Sequence, residues 1–274
     1  MKTRLFLLAL LGGILVFLST QPYPFWEGFG VIMACLTALW VVSLAIKDAS
    51  IIDIFWGLGF VIVAWFYRYR MGLSDTRSLV LCAMVSAWGL RLGLHLAIRN
   101  LGHGEDYRYQ VWRKEHGKNW WWVSYLRVFL LQGVILWIVS SALLVGLTPA
   151  HGQLQWLDWV GVALWGVGFY FEAVGDWQLT QFKKNPNNKG QLLQTGLWAL
   201  TRHPNYFGDA LLWWGYFCFA CANGAFAYVF SPVLMTFLLM KVSGVALLEQ
   251  TLSKTKPQFD AYQKRVPAFF PRLF

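Results

Sequence analysis

The chain has 274 residues, of which 57% are hydrophobic and 13% charged, and a net charge of +10; the charged share is about half that of an average soluble domain. Such proportions exclude a soluble enzyme, and apolar runs of bilayer length make it an integral membrane protein. Nor does the positive balance imply a nucleic-acid partner, because Lys and Arg are spread over segments flanking apolar runs instead of gathering on one polar face.

In chain order, eight apolar runs are expected to be helical spans: Arg4–Thr20, Gly28–Ile46, Ile51–Tyr67, Ser78–Ile98, Ser124–Leu147, Leu157–Gln181, Tyr206–Ala222 and Ala225–Leu248. Each is near the roughly 20 residues that cross a hydrocarbon core. The first and third are short, so seven spans is the alternative. Lys and Arg flank the first run on its N-terminal side and follow every even-numbered run, whereas residues 21–27, 148–156 and 223–224 carry none. By the positive-inside rule this fits an all-α, polytopic bundle of eight spans with both termini cytoplasmic. Arg68, Arg70 and Arg77, after the third run, break the alternation. Leu5–Leu18 also has the outline of a signal peptide, although no convincing small-residue cleavage site follows it. No polar linker or low-complexity segment interrupts the chain, so residues 1–274 read as one membrane domain, with N-terminal spans over 1–50 and a functional bundle over 51–274.

Ionisable groups at membrane depth are costly and therefore mark candidate sites. Asp53, Arg91, His95, Glu172, Asp176, Asp209, Lys241 and Glu249 are such groups. Arg91, His95 and Arg99 recur every four residues and so share one helical stripe. Glu172 and Asp176 do the same on the sixth run, with Lys183 seven residues further along that face. Arg91 also has a plain structural reading, as the partner of Glu172 or Asp176. Cys35, Cys82, Cys218 and Cys221 all lie in apolar runs and read as small buried hydrophobes, so no metal site is expected.

The stretch "TGLWALTRHPNYFGD", Thr195 to Asp209, opens the seventh run. Pro204 suits a first helical turn. The amides and dipole of the helix it starts favour an anion, to which Arg202, His203 and Asn205 add polar contacts. Trp198 and Tyr206 supply flat faces for stacking on a heteroaromatic ring. The pattern asks for a large, anionic, partly aromatic ligand such as a nucleotide cofactor. No glycine-rich fingerprint follows a strand, so a Rossmann domain is excluded.

The stretch "LLQTGLWALTRHPNYFGD", together with "LLEQTLSKTKPQFDAYQKRVPAFFP" and "RLGLHLAIRNLGHGEDYRY", resembles the steroid 5-alpha-reductase and sterol reductase superfamily over about residues 51–274. The likeness is greatest to its bacterial branch grouped as a domain of unknown function (DUF1295). The resemblance implies an NADPH-dependent reductase of an activated C=C bond in a lipophilic, steroid- or isoprenoid-like substrate drawn from the bilayer of a bacterial inner membrane. It assigns cofactor binding to Leu193, Trp198, Asn205, Tyr206, Lys183, Glu249 and Tyr262, to which the residue reading adds Arg99, Glu172, Asp176, Arg202, His203 and Asp209. The steroid reductases carry a Gln-Glu pair and a Tyr that hold the substrate ketone; here Asp53 and Arg91 stand at those places, and with His95 they are the expected catalytic residues. Asp53 reads either as a protonated acid or as the counter-charge of Arg91.

Isoprenylcysteine and phospholipid methyltransferases share an Arg-His-Pro-x-Tyr segment and a later Glu, so an S-adenosylmethionine-dependent methyltransferase is the alternative. Those proteins usually carry Glu-Glu where this chain has Glu249-Gln250. A non-enzymatic lipid-binding protein is the third reading and would bind no cofactor.

Overall fold

The computed structural model describes residues 20–148, 152–242 and 244–272. All but the last residue of the run Arg4–Thr20 lies outside them. The described residues are helical, with no strand among them. They form two compact units, one from the described part of Met1–Leu73 with Gly89–Trp137, the other from Ser74–Trp88 with Ile138–Phe274. The helices on either side of residue 50 therefore belong to the same unit.

The first unit holds α1 (Tyr23–Ile46), α2 (Ile51–Arg70), the C-terminal half of α3 (Thr76–Asn100), α4 (Tyr107–His116) and α5 (Trp120–Ser124). A π-helical turn at Tyr125–Leu130 leads on into α6 (Leu131–Leu147). Prolines at the start of α1 fix its first turn, and Lys47 ends it in the left-handed region, with its N–H on the Ser43 carbonyl. Apolar side chains gain little by leaving lipid for one another, so membrane helices associate where small residues let backbones meet. Gly57 and Gly89 do this for α2 and α3: a Cβ on Gly57 would lie 2.6 Å from the Gly89 carbonyl oxygen.

The second unit is organised around α7 (Trp156–Lys184) and α9 (Pro204–Ala222), joined through the short α8 (Leu197–Leu200). Asp158 starts α7 through a capping box with Gln155. Gly161, Gly168 and Gly175 recur every seven residues on α7 and meet Gly215, Gly208 and Pro204 of α9. A Cβ on Gly168 would stand 2.6 Å from the Gly208 carbonyl oxygen, and one on Gly161 equally close to that of Gly215. The two helices thus run backbone to backbone, which fixes the register of every side chain between them. Beside this seam Trp88 and Trp213 pack edge to face, with centroids 5.7 Å apart, and the Trp165 indole donates to the Tyr216 hydroxyl at 3.0 Å.

Among the described residues, five helical stretches are long and apolar enough to cross a bilayer: Tyr23–Ile46, Ile51–Arg70, Thr76–Asn100, Tyr107–Leu147 and Trp156–Lys184. They coincide with the second to sixth expected runs, and the chain is an integral membrane protein. The seventh run is α9. The eighth is not one helix: a 3-10 turn at Phe226–Val229, α10 (Phe230–Phe237) and a π-helical turn at Leu238–Val242 are followed by α11 (Val245–Thr255) and α12 (Phe259–Arg265). Glu249 accordingly sits on a separate helix and not at the end of a span.

Two of the cations that break the loop alternation have local explanations. Arg77 is buried and not a loop marker: it clamps Asp158 with Nε and Nη2 at 2.8 and 2.9 Å and donates to the carbonyls of Gly146 and Phe219 at 2.6 and 2.7 Å. Arg70 is neutralised by Glu27 at 2.6 Å.

Candidate functional site

In the second unit, the seam between α7 and α9 places Pro204 against Gly175 and thereby Asn205 against Asp176. Asn205 Nδ2 donates to Asp176 Oδ1 at 3.0 Å. Only the amide nitrogen can donate to a carboxylate, so this bond orients the side chain. The other end, Asn205 Oδ1, is buried with no hydrogen-bond partner among the described residues. Leaving an acceptor in that state costs about 1–3 kcal/mol, and such a group calls for a donor from outside. One turn deeper, Glu172 accepts from the Trp88 indole at 3.0 Å.

Around this point the expected residues divide. Tyr206 is half-buried and stacks on His203, with centroids 5.7 Å apart and planes 19° from parallel. Leu193 and Asp209 are half-buried, and Lys183 is exposed near the end of α7. Trp198 and Tyr262, expected to face a cofactor, are instead buried in the fold. The Trp198 indole donates to the Gly175 carbonyl at 3.0 Å, and the Tyr262 hydroxyl donates to the Trp198 carbonyl at 2.5 Å.

Arg202 also departs from expectation. Its guanidinium is 7% exposed and turned inward: Nε meets Glu249 Oε1 at 2.8 Å, and Nη1 reaches the carbonyls of Gln263 and Val266 at 3.1 and 2.5 Å. The His203 ring shares the same carboxylate oxygen at 3.1 Å, and Gln263 Nε2 donates to the other at 3.2 Å. Backbone ties continue the strap. Arg202 N donates to the Pro267 carbonyl, Thr201 Oγ1 to that of Phe269, and Arg272 N to that of Leu200, all at 2.9 Å. Arg202 therefore fastens the C-terminal segment to the turn that starts α9, and its charge is already matched.

Burial alone would raise the Glu249 pKa, but hydrogen bonds from His203 and Arg202, together with their charges, outweigh it and hold the carboxyl down at about 2. A group depressed in the folded state stabilises the fold above its unfolded value, about 4.3 for Glu, and loses that contribution as pH falls through its folded value. The melting temperature of the wild-type protein should thus exceed that of Glu249→Gln by a constant margin above roughly pH 5, and the gap should close on acidification between about pH 4.3 and pH 2. Parallel thermal scans of the two proteins across that range would check it; a gap unchanged at the acid end would deny Glu249 this role.

The first unit holds a second polar group. Asp53 lies in the first turn of α2, and its counter-ion is Arg108, not Arg91: Arg108 Nη2 meets Asp53 Oδ2 at 2.8 Å. The Tyr109 hydroxyl donates to Asp53 Oδ1 at 2.8 Å and accepts from Gln132 Nε2 at 3.4 Å, while the Trp56 indole donates to Gln132 Oε1. Asp106 caps α4 and also holds Arg108 Nε at 2.9 Å. Arg91, His95 and Arg99 share a stripe of α3 as their spacing requires, the first two half-buried and the third exposed. Sequence reasoning missed Arg108, Tyr109, Gln132 and Trp56. A lone Gln in an apolar run, and a Tyr beside an Arg in the loop before it, were the available signals.

The family model described as a protein of unknown function, DUF1295, matches residues 39–266, which include both polar groups. The chain belongs to the DUF1295 family. This DUF1295 protein is 25% identical to an uncharacterised protein of Schizosaccharomyces pombe over 91% of its own length and 80% of the relative's. It is 30% identical to a nickel-cobalt-cadmium resistance protein of Alcaligenes xylosoxydans over 50% of its length and 62% of that protein. A third relative, a probable 7-dehydrocholesterol reductase of Acanthamoeba polyphaga mimivirus, is 38% identical over 32% of this chain but only 20% of its own. Among the described residues no three His, Cys, Asp or Glu side chains converge as metal ligands.

Proposed function

We propose that the protein is an NADPH-dependent membrane reductase of an activated C=C bond in a lipophilic substrate. The observation that carries the reading is the oriented but unsatisfied Asn205 amide oxygen at the start of α9. The similarity to a protein named as a probable 7-dehydrocholesterol reductase supports a reductase.

The residues fit such a cofactor in a particular way. Asn205 Oδ1 is an acceptor for an amide or hydroxyl donor, Tyr206 lies beside it, and Lys183 is a cation suited to a phosphate. Arg202, Glu249, Trp198 and Tyr262, which hydrogen-bond within the chain, build the wall behind them. When bound, the reduced nicotinamide supplies a hydride. The chain must also hold a proton at a defined atom for the other half of a C=C reduction. Within the first unit taken by itself, Tyr109 is the proton-bearing group of the Asp53 cluster, donating to Asp53 and accepting from Gln132, with Arg108 on the same carboxylate.

NADPH should raise the melting temperature of the purified protein more than NADH or S-adenosylmethionine does, since a ligand that binds only the folded state stabilises it. Asn205→Ala should keep the fold yet weaken NADPH binding by roughly tenfold, the loss of one buried hydrogen bond. A shift with S-adenosylmethionine alone would replace the reductase reading with a methyltransferase one.

A further inference from the structure

We propose that the first unit carries a lipid site that selects an anionic glycerophospholipid, with an acyl chain lying in a groove between α1 and α5. The groove is lined by Thr37, Trp40, Trp121, Trp122, Tyr125 and Leu126 and has a volume of about 240 Å³. That is below the roughly 300–1,000 Å³ of pockets that enclose whole small molecules. It suits a slender apolar chain and not a ring system.

Two features of its walls make it a built site. The π-helical turn at Tyr125–Leu130 interrupts the α-helical path beside the groove, and such bulges recur at functional positions. The wall polar groups are paired across it: Thr37 Oγ1 and the Tyr125 hydroxyl lie 3.1 Å apart, and the Trp40 indole donates to the Trp121 carbonyl at 2.9 Å and to Ser124 Oγ at 3.3 Å. What remains turned outward is apolar: Trp121 is 57% and Leu126 49% exposed. Tryptophan and tyrosine in this density mark the depth at which acyl chains meet headgroups.

Charge at one end identifies the headgroup. The pairs Thr37–Tyr125 and Trp40–Trp121 show that α1 and α5 run antiparallel here, so the end of α1 and the turn before α5 lie at the same end of the groove. Lys47 follows the last residue of α1, on the C-terminal side of Trp40, and Lys118 lies on the N-terminal side of Trp121 and Trp122; both are exposed. The nearby acids are already engaged, Asp48 by the Ser50 amide and hydroxyl and Glu115 by Arg127 at 4.0 Å. An aromatic trough ending between two exposed lysines complements a phosphate carrying a net negative charge.

Native mass spectrometry of the full-length protein, released from detergent containing equal amounts of dioleoyl-phosphatidylglycerol and dioleoyl-phosphatidylcholine, tests this. One phosphatidylglycerol should be retained in preference to phosphatidylcholine by roughly tenfold. Lys47→Ala with Lys118→Ala should abolish the preference while leaving phosphatidylcholine retention and the melting temperature unchanged. Leu126→Trp, which fills the groove from an exposed position, should reduce retention of both lipids. Equal retention of the two lipids by the wild-type protein, or a preference that survives the double lysine change, would overturn the proposal.

Discussion

Gly208→Val in the full-length protein is expected to yield no folded second unit, whereas Gly166→Ala on the neighbouring helix should purify and melt like the parent. A Cβ on Gly208 would lie 2.5 Å from the Glu172 amide nitrogen and 2.9 Å from its Cβ, and would press on the Gly168 carbonyl oxygen, while one on Gly166 meets nothing within 4 Å. Overpacking usually costs about 1–3 kcal/mol where flexible side chains give way. Here the obstacles are backbone atoms of α7, which can move only by parting the helices. Parting them breaks the contact at Gly161 and Gly215 and the Asn205–Asp176 bond together. The loss should therefore exceed that range and take up most of a stability of roughly 5–15 kcal/mol. Size-exclusion profiles and thermal scans in detergent measure it. A monodisperse Gly208→Val protein melting within a few degrees of the parent would show that the seam does not hold the unit together.

The helices were legible because a membrane span is written in composition: second to sixth apolar runs and helices coincide, and α9 begins at the proline that marks its first turn. The broken eighth run was not legible, since Ala225–Leu248 is apolar apart from Lys241 and three Ser and Thr side chains, and hydropathy does not distinguish a continuous helix from a 3-10 turn, a π-helical turn and a new start. The glycine seam was legible in principle, because glycines at 161, 168 and 175 repeat at a helical period, the first two facing Gly215 and Gly208 and the third Pro204. Side-chain pairing was the least legible. Spacing showed that Arg91 and His95 share a face, yet the partner of Asp53 came from Arg108, 55 residues along the chain. An arginine that folds back on its own chain and one that awaits a phosphate look the same in sequence, and Arg202 is the case in point.

Arg202→Ala should destabilise the protein by about 3 kcal/mol, the low end of the cost of breaking a buried ion pair, because His203 and Gln263 still bond the Glu249 carboxylate. The change removes the hydrogen bonds to Glu249, Gln263 and Val266 at once, so it should also release the segment from Phe259 to Arg272. Hydrogen exchange is the direct readout: amides of α12 and of residues 266–272 should lose protection first, while those of α7 and α9 keep theirs through the glycine seam. Arg202→Met combined with Glu249→Met should regain part of the loss, because no unpaired carboxylate remains, but not all of it, because the Gln263 and Val266 carbonyls still lack a donor. The same experiment separates a strap from a ligand. If Arg202→Ala keeps its melting temperature and its C-terminal protection yet no longer responds to NADPH, the guanidinium belongs to the cofactor and the inward pairing does not govern its role. If protection is lost and the double change restores it in part, Arg202 acts through the fold, and the cofactor must be held by Asn205, Tyr206 and Lys183.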